Sequence, residues 1–311
     1  MVVDTIELQI DGNSVKIEDV LSLTFSDSEG VKSDKVSLKV MPDFPKPKPN
    51  TKLELKFKTL KDDSEIESLE CGLFHVQTVT RTDTKALSFS ATGVEFNEVQ
   101  KEKISQHYQN TKLSSIIKIV ADRLGHKTKF QADDVSIKSL NQTNESDIHF
   151  LDRLSKTYNC LFSIKNEFVY FVNKDDGELP VTKIDVSKCK SSSIKHSTKT
   201  YYKSCEASWH DTDSAKTKKV VAGDGKPVFK MKGTFIDEAD AMVKAKSKLK
   251  SINKGTVSGS LSLKGISVYA GTKVELVNTY KNEDDGIYSV VSCTHTYSRS
   301  GGWTTSIEIE N

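Results

Sequence analysis

Hydrophobic and polar residues alternate through most of the first hundred residues. The alternating runs are Val3–Ile10, Val15–Val20, Val36–Val40, Leu53–Phe57 and Leu87–Ala91. Because a period of two turns one set of side chains toward a core and the other toward solvent, each run predicts a strand of an antiparallel sandwich or barrel. The sequence Asp11-Gly12-Asn13 predicts a tight turn between the first two strands. Residues 41–49 contain four of the six prolines and predict an extended loop without strands.

Helical periodicity replaces this alternation after about residue 101. One predicted helix follows Thr111, its N-cap, and ends at Gly125. A second begins near Asn144, with Asp147 supporting the cap three residues later. The predicted buried stripes are Leu113, Ile116, Ile117, Val120, Ala121 and Leu124 in the first helix, and Ile148, Leu151, Leu154 and Tyr158 in the second. The hairpin predicted to follow consists of Leu161–Ile164 and Phe168–Val172 around Lys165-Asn166. Together these elements form a small α/β module.

The β pattern returns from Asp175-Asp176-Gly177 onward, with a turn predicted at Gly223-Asp224-Gly225. One helix interrupts it, from about Asp237 to Ile252. The alternating lysines of its later turns cannot share one face, so most of this helix is predicted to be exposed. The predicted closing strands are Leu261–Val268, Val274–Val277, Ile287–Tyr297 and Trp303–Glu310.

Composition excludes several classes of protein. No apolar run among the 311 residues approaches the roughly 18 residues that a membrane span needs, and the N-terminus lacks the features of a secretory signal. The five cysteines are odd in number and scattered, which argues against a disulfide scaffold and favours folding in a reducing cytosol. We therefore expect a globular protein without membrane insertion.

Charge is distributed unevenly along the chain. Residues 1–100 carry 12 Lys and Arg against 18 Asp and Glu, a net charge of −6, whereas residues 101–175 carry +3 and residues 176–311 carry +5. Opposite charges at the two ends favour head-to-tail contacts between copies, although solvated faces without a partner explain them equally well. Basic residues are almost all lysine, with four arginines. Nucleic-acid binding is therefore not expected, since base recognition favours bidentate arginine.

Potential metal ligands are present but poorly spaced. The nearest approach to a zinc cluster is Cys189, His196, Cys205 and His210, which lack the paired spacing that zinc sites favour. Asp211 and Asp213 resemble the start of a calcium loop, but the glycine and the glutamate of such a loop are missing. We predict no metal site and no cofactor.

Catalytic motifs are likewise missing from the sequence. Glu283-Asp284-Asp285-Gly286 is better interpreted as a hairpin turn than as a catalytic carboxylate pair. His149, next to a predicted buried stripe, is interpreted as a surface or packing histidine rather than a base. The sequence therefore predicts no catalytic residue.

One stretch, Gln142–Leu154, is more specific than these patterns. It reads Q-T-N-E-S-D-I-H-F-L-D-R-L and resembles the Q-T-N-E-S-D-x-x-F-L-x-R-L signature of the phage late control D protein family. Members of this family form the baseplate hub of contractile tails and correspond to the hub part of type VI secretion spike proteins. Gly72–Val76 resembles the G-x-F-x-V strand of the family, and Gly233–Ala239 resembles the start of its late helix. Residues 70–172 carry the resemblance most strongly.

The resemblance implies a mainly β fold with an α+β insert, in which two tube-like antiparallel β-barrel domains bracket a small α/β module. The corresponding domains are residues 1–100 (first tube-like β domain), 101–175 (α/β insert) and 176–311 (second tube-like β domain with one helix). Two departures from the family are visible. Pro45–Asn50 replaces a shorter Pro-Gly turn, and the sequence ends at Asn311 without a β-helical needle, so we expect a separate spike protein.

The function implied is that of a structural baseplate hub of a phage-like contractile tail or injection particle. Its expected partners are two further copies in a homotrimer with a pseudo-sixfold ring, a central spike protein, a tail tube protein or tube initiator, and other baseplate proteins. Its expected location is the virion tail baseplate or a contractile injection particle assembled in the bacterial cytoplasm. The alternative is a wall-degrading enzyme or a host-binding tail protein of the same particle.

Overall fold

The structure is a computed structural model that describes residues 1–30, 33–82, 86–93, 102–165, 167–174, 179–198, 200–211 and 214–311. Over these residues the fold is mainly β with three α-helices, which confirms the predicted fold class. The predicted domain boundaries, at residues 100–101 and 175–176, lie outside the described residues. So do the predicted Asp175-Asp176-Gly177 boundary and Asn166 of the hairpin turn.

The N-terminal strands form what we call the first β unit. They are β1 (Val2–Ile10), β2 (Asn13–Ser14), β3 (Val20–Ser28), β4 (Lys35–Val40), β5 (Lys52–Lys61), β6 (Ser64–Thr82) and β7 (Ala86–Thr92). Alternate residues of these strands are fully buried, among them Phe25, Leu38 and Phe57, as the period of two predicts. Asp11 and Gly12 both have positive φ, which confirms the tight turn after β1.

One strand prediction fails in this unit, and β3 and most of β6 are strands that the sequence analysis does not predict. Val15–Val20 is not a strand: β2 pairs with β1 over only two residue pairs, and a 3₁₀ turn at Ile17–Asp19 then carries the chain to β3. Most of the long strand β6 is not predicted, because β-bulges at Ile66 and Cys71 interrupt the alternation of its first half. The proline-rich segment does lack strands, as predicted, and its Phe44 stacks on Phe89 of β7.

The middle region folds into the predicted α/β insert. Its elements are β8 (Lys103–Lys112), α1 (Leu113–Arg123), β9 (Lys127–Gln131), β10 (Ser136–Ser146), α2 (Asp147–Thr157), β11 (Cys160–Lys165) and β12 (Phe168–Asn173). Strand β8 pairs with β10, while β12 pairs antiparallel with β11 and parallel with β9. The whole predicted stripe of α1 is buried, as are Leu151 and Leu154 of α2.

Both predicted N-caps of the insert are wrong. Thr111 lies within β8, and the start of α1 is held instead by Asp134, whose Oδ1 accepts a hydrogen bond from Ser114 N (3.0 Å). Asn144 lies within β10, and Ser146 caps α2. In both cases a strand runs directly into the helix, which leaves no loop at the position where the sequence suggested a cap.

The C-terminal region contains two kinds of structure. Its elements are β13 (Val181–Asp185), β14 (Ser191–His196), β15 (Ser204–Asp211), β16 (Lys216–Gly223), β17 (Val228–Phe235), α3 (Glu238–Asn253), β18 (Val257–Lys264), β19 (Lys273–Val277), β20 (Gly286–Ser298) and β21 (Gly302–Glu310). Strands β13, β14 and β18–β21 form what we call the second β unit. Three of the predicted closing strands are confirmed, whereas the strand predicted at Leu261–Val268 ends at Lys264. In β21, Trp303, Thr305, Ile307 and Ile309 are all buried.

Strands β15–β17 and helix α3 form a separate small unit, which we call the lysine-rich unit. Its sheet order is β16-β15-β17, and its own core includes Cys205, Ala207 and Ala241. The prediction that most of α3 is exposed is wrong, because this helix packs between that sheet and α2. Ser247 Oγ of α3 donates a hydrogen bond to Lys156 O of α2 (3.0 Å).

The two β units share one continuous sheet. Within the described residues, its strand order is β14-β18-β21-β20-β3-β4-β7-β6-β5-β1-β2, with β19 and β13 continuing from β20 on a branch. The units meet where β3 pairs antiparallel with β20, from Ser22↔Ser298 to Ser28↔Ser292. The first β unit and the second β unit are therefore joined by backbone hydrogen bonds rather than by a linker alone.

The two units also have the same strand order. In the first unit the six main strands are ordered β3-β4-β7-β6-β5-β1, and in the second β14-β18-β21-β20-β19-β13. Numbered by position within each unit, both orders are 2-3-6-5-4-1. The units differ in their first strands, since β1 is antiparallel to β5 whereas β13 is parallel to β19. One fold is thus present twice in the chain.

Candidate functional site

One face of the continuous sheet is lined almost entirely by serine and threonine. The register places the alternate residues of eight neighbouring strands, from β14 to β6, on this face. One row across it reads Lys264, Thr304, Thr296, Thr24, Ser37, Ser90 and Thr78, and a second reads Ser191, Ser262, Ser306, Thr294, Ser26, Lys35 and Thr92. These side chains are exposed or half-buried. We call this surface the hydroxyl face.

Neighbouring hydroxyl groups on this face bond to one another. Thr78 Oγ1 lies 2.7 Å from Ser90 Oγ, and Ser306 Oγ donates to Ser262 Oγ at 3.4 Å. Cross-strand hydroxyl pairs of this kind stabilise a sheet modestly. The surface they form is wide and polar, and its carboxylates, Glu308 and Glu310, lie on β21.

The polar face is different where the sheet continues into β5 and β1. There it carries an ion-pair ladder, in which Lys58 Nζ lies 2.5 Å from Glu7 Oε1 and 3.0 Å from Glu65 Oε2. Lys56 forms similar pairs with Glu65 and Glu70. The exposed side of an antiparallel sheet accepts either chemistry, so the restriction of hydroxyls to the strands around the β3–β20 joint is a property of this sequence.

The insert is attached at the same joint by a buried charge cluster. Lys165 Nζ of β11 lies 2.6 Å from Asp27 Oδ1 of β3 and 3.4 Å from Asp34 Oδ2. The other oxygen of Asp27 accepts a hydrogen bond from Ala270 N, just before β19 (2.9 Å). Asp27 therefore links the first β unit, the insert and the second β unit. Close by, Lys174 pairs with Glu29 and Gly30 N donates to Phe162 O (3.2 Å).

Burial shifts the protonation equilibria of this cluster. It raises the pKa of the Asp34 carboxyl to about 7, against the opposing effect of Lys165. Burial acts to lower the pKa of the Lys165 amine, but the charges of Asp27 and Asp34 outweigh it and the pKa is raised. Lys165 therefore stays charged and compensates Asp27, which is completely buried.

The signature residues form a second polar cluster, inside the insert. Arg123 of α1 donates two hydrogen bonds to Asp147, from Nε to Oδ2 at 3.0 Å and from Nη2 to Oδ1 at 2.6 Å. Gln142, which is 1% exposed, donates a hydrogen bond to Asp147 Oδ1 (2.8 Å) and accepts one from Arg123 Nη2 (3.1 Å). These contacts tie α1, the end of β10 and the start of α2 together, a structural role.

The remaining signature residues complete this arrangement. Arg153 Nη2 donates to Glu145 Oε2 (2.9 Å) and to Asn141 O (2.9 Å). Phe150 is fully buried and stacks on Tyr108 of β8. His149 is exposed and bonds to the N-cap Ser146 through Nδ1 (2.8 Å).

The potential metal ligands are not brought together. His196 Nε2 lies 2.7 Å from Asp284 Oδ1, and Cys205 is buried in the lysine-rich unit. Asp211 pairs with Lys218, and Asp213 lies outside the described residues. In the described part of the chain, no group of three or more His, Cys, Asp and Glu residues is placed to hold a metal ion.

The predicted turn at Glu283–Gly286 connects β19 and β20, which pair as a hairpin. Asp285 Oδ1 accepts hydrogen bonds from Thr279 N (3.0 Å) and Thr279 Oγ1 (2.7 Å), and the latter bond lowers the pKa of this carboxyl most. Its acidic residues thus shape the turn. Among the helices of the described residues, none has the combined length and hydropathy required to cross a membrane.

Comparison with known proteins identifies relatives of this fold. Residues 96–301 match the family model described as phage tail baseplate hub (GPD). No curated protein matches the sequence. A tail protein from Neisseria meningitidis MC58 is similar in structure, with a TM-score of 0.71 and 9% identity, over 99% of this chain and 97% of that chain.

Two further solved structures are similar. The 43 kDa tail protein of prophage MuSo2 from Shewanella oneidensis has a TM-score of 0.69 and 12% identity, over 98% of both chains. The E. coli c3393 protein, a component of the type VI secretion system, has a TM-score of 0.59 and 11% identity, over 97% of this chain and 76% of that chain. At such low identity, these similarities describe the fold.

Proposed function

The chain belongs to the phage tail baseplate hub family, and on this premise we propose that three copies form a ring of six β units that joins a tail tube to a central spike. The protein is a structural component of a phage-type baseplate. The trimer, the ring and the individual partners are the parts that go beyond family membership.

The repeated fold is the observation that carries this proposal. Each chain contributes two units with the same strand order, joined side by side in one sheet. Three chains therefore present six similar units, as a sixfold tube requires, while the chains themselves keep the threefold symmetry of a trimeric spike. Closed cyclic assemblies of this kind use one repeated heterologous contact.

The hydroxyl face lines the channel of this ring. It is the broad polar face of the sheet that both units share, and most of its side chains are uncharged hydroxyls, which bind a passing chain or ion less strongly than charged groups do. The insert is attached through the buried side of the sheet, at Asp27, and leaves the hydroxyl face open. We therefore place the insert and the lysine-rich unit on the outside of the ring.

We infer that the opposite net charges of the two ends of the chain do not organise the ring contacts. The +5 of residues 176–311 belongs entirely to residues 200–256, which carry 12 Lys against 7 Asp and Glu. Those residues contain the lysine-rich unit and not the second β unit. The contacts between units must therefore depend on strands and packing more than on opposite net charges.

The expected partners are a central spike protein, a tail tube protein or tube initiator, and other baseplate proteins. Family membership supports the tail partners, and the similarity to a type VI secretion component supports a spike partner. Assembly occurs in the bacterial cytoplasm, and the protein has no enzymatic activity. Burial raises the pKa of the Cys189, Cys205 and Cys293 thiols, which disfavours the reactive thiolate.

The stoichiometry of the assembled particle tests this function. Electron microscopy and quantitative mass spectrometry should find three copies per baseplate, arranged as six β units around a central channel, beneath the tube and above the spike. Six copies per baseplate, or only one β unit of each chain in the ring, would refute the proposal. Hydrolysis of peptidoglycan that disappears on substitution of a single Asp, Glu, His or Cys would favour the wall-degrading alternative.

A further inference from the structure

The two β units differ in the partners of their equivalent edge strands. In the first unit, the edge strand β3 pairs with β20 of the second unit. The strand at the same position of the second unit is β14, which pairs with β18 on one edge. Within the described residues no strand pairs with its other edge. Unpaired strand edges attract other strands, so proteins usually protect or use them.

A matching free edge exists on the first unit, on the strand equivalent to β20. Strands β6 and β20 each contain a β-bulge at the same place, between Val76 and Thr78 and between Val290 and Ser292. Beyond its bulge, β20 pairs with β21 on one side and with β3 on the other. Beyond its bulge, β6 pairs with β7 on one side, and no described strand pairs with the other side.

We infer that β14 of one chain pairs antiparallel with the final part of β6 in the next chain, repeating the β3–β20 joint between chains. This inference rests on the proposed ring and names the contact that closes it. Each chain then contains one joint of this type and forms one with each neighbour. Three chains give six equivalent joints, and no β14 or β6 edge remains free.

The internal joint also determines the register of the contact between chains. Phe25 of β3 lies opposite Val36, and Ile194 of β14 lies opposite the equivalent Gly259. His295 and Arg81 are equivalent in the same way, since each is five residues beyond the valine of the bulge. Because Phe25 pairs with His295, Ile194 is expected opposite Arg81 of the neighbouring chain. The next pair in this register is Lys195 opposite Thr80.

Chemistry at the edge supports this register. It places Ser193 and Lys195 on the same face as Thr78 and Thr80, so the hydroxyl face continues from chain to chain. A slip by one residue would turn Ile194 onto that polar face, which penalises the alternative. The β14 edge also lacks proline and bulges. By contrast, the edge strand β16 carries Lys216, Lys218 and Lys219, the type of residue that protects an edge from pairing.

Disulfide trapping tests the contact in the assembled particle. Thr80 and Lys195 are both exposed in the free chain, and residues directly opposite in an antiparallel pair are within disulfide distance. The double variant Thr80→Cys with Lys195→Cys should give, on oxidation of purified particles, a band of three linked chains on a non-reducing gel. The matched control is Thr80→Cys with Ser191→Cys, whose second site is displaced by roughly 13 Å along the strand.

A second pair in the same register, Thr78→Cys with Ser197→Cys, keeps the test informative if the first variant does not assemble. Linked trimers from a matched pair, without linkage in the displaced control or in single-cysteine variants, would support the contact. Particles with three hub copies but no linkage in either matched pair, or with linkage in the displaced control, would overturn it. Particles with a different hub copy number would refute the proposed ring itself.

Discussion

Asn50 and Gly271 occupy the same position in the two β units. Both have a positive φ, 61° and 83°, and both donate their backbone N–H to the valine that precedes a β-bulge, Val76 and Val290, at 2.8 Å. The loops that lead to them have different sequences, since only the first is rich in proline. The duplication is therefore visible in backbone geometry where the sequence does not reveal it.

The positive φ at Asn50 leads to the first prediction. Asn50→Val should lower the free energy of unfolding of the isolated chain by roughly 1–2 kcal/mol, because a β-branched side chain is strained in the left-handed region. Asn50→Gly should change it little, since glycine adopts this conformation readily. Urea unfolding measures both variants. Equal stability of Asn50→Val and Asn50→Gly would contradict this assignment of the turn.

Two isoleucines of α1 provide a matched test of the insert core. Ile117 is 0% exposed, whereas Ile119 is 41% exposed. Ile117→Ala should destabilise the insert by about 2–5 kcal/mol, the usual cost of a buried cavity. Ile119→Ala should cost much less, because little apolar area is lost from the interior. Thermal unfolding followed by circular dichroism compares them, and similar losses would show that the buried face of α1 is misassigned.

The two arginines of the signature cluster should differ in the same way. Arg123→Lys removes a bidentate contact with Asp147 in a site where the arginine side chain is 29% exposed, and should cost roughly 1.5–3 kcal/mol. Arg153→Lys affects a pair whose arginine is 44% exposed, so its cost should be about 0–1 kcal/mol. Chemical unfolding of both variants gives the comparison. A larger loss for Arg153→Lys would assign the main clamp to Glu145 instead.

The buried charge cluster predicts a pH dependence. Because burial raises the pKa of Asp34 from 3.8 to about 7, the folded chain holds a proton there that the unfolded chain releases. This group's contribution to stability is therefore present at low pH and is lost as the pH rises from about 4 to about 7. Asp34→Asn removes that decline. The difference in the free energy of unfolding, variant minus natural protein, should therefore increase when the pH is raised from 5 to 8.

Urea unfolding at both pH values measures this effect. Asp43→Asn, in the exposed proline-rich loop, serves as the control and should show the same stability difference from the natural protein at both. The groups that face Asp34 are Lys165, Asp27 and Ser28, and Cys293 also faces Lys165. A constant difference between Asp34→Asn and the natural protein across this range would show that Asp34 does not carry the dependence.

The local pattern of hydrophobic residues was sufficient to identify buried residues where a strand or helix buries only one of its faces. The period of two in β4, β5, β7 and β21 and the apolar stripe of α1 each identified buried residues correctly, because alternation and helical periodicity follow directly from backbone geometry. The specific signature Gln142–Leu154 also indicated the family correctly, and its residues Gln142 and Asp147 bond to each other.

Pattern failed where the stabilising partner is distant in sequence. Asp134 replaces the expected cap of α1 from twenty residues away. Helix α3 packs against its own sheet and also against α2, whose Lys156 lies 91 residues before Ser247. In the first half of β6, two β-bulges in the pairing with β5 break the period of two, although Leu69 is fully buried.

The sequence by itself determined the strands β1, β4, β5, β7 and β21, the buried face of α1 and the family that the chain resembles. Only the tertiary structure decided that the two β units share a strand order, join through β3 and β20, and align their hydroxyl groups on one face. Sheet order and register depend on pairing between strands up to about 270 residues apart, such as Asp27 with Cys293. Side-chain periodicity within a strand identifies its buried face, but it contains no information about which strand lies beside it.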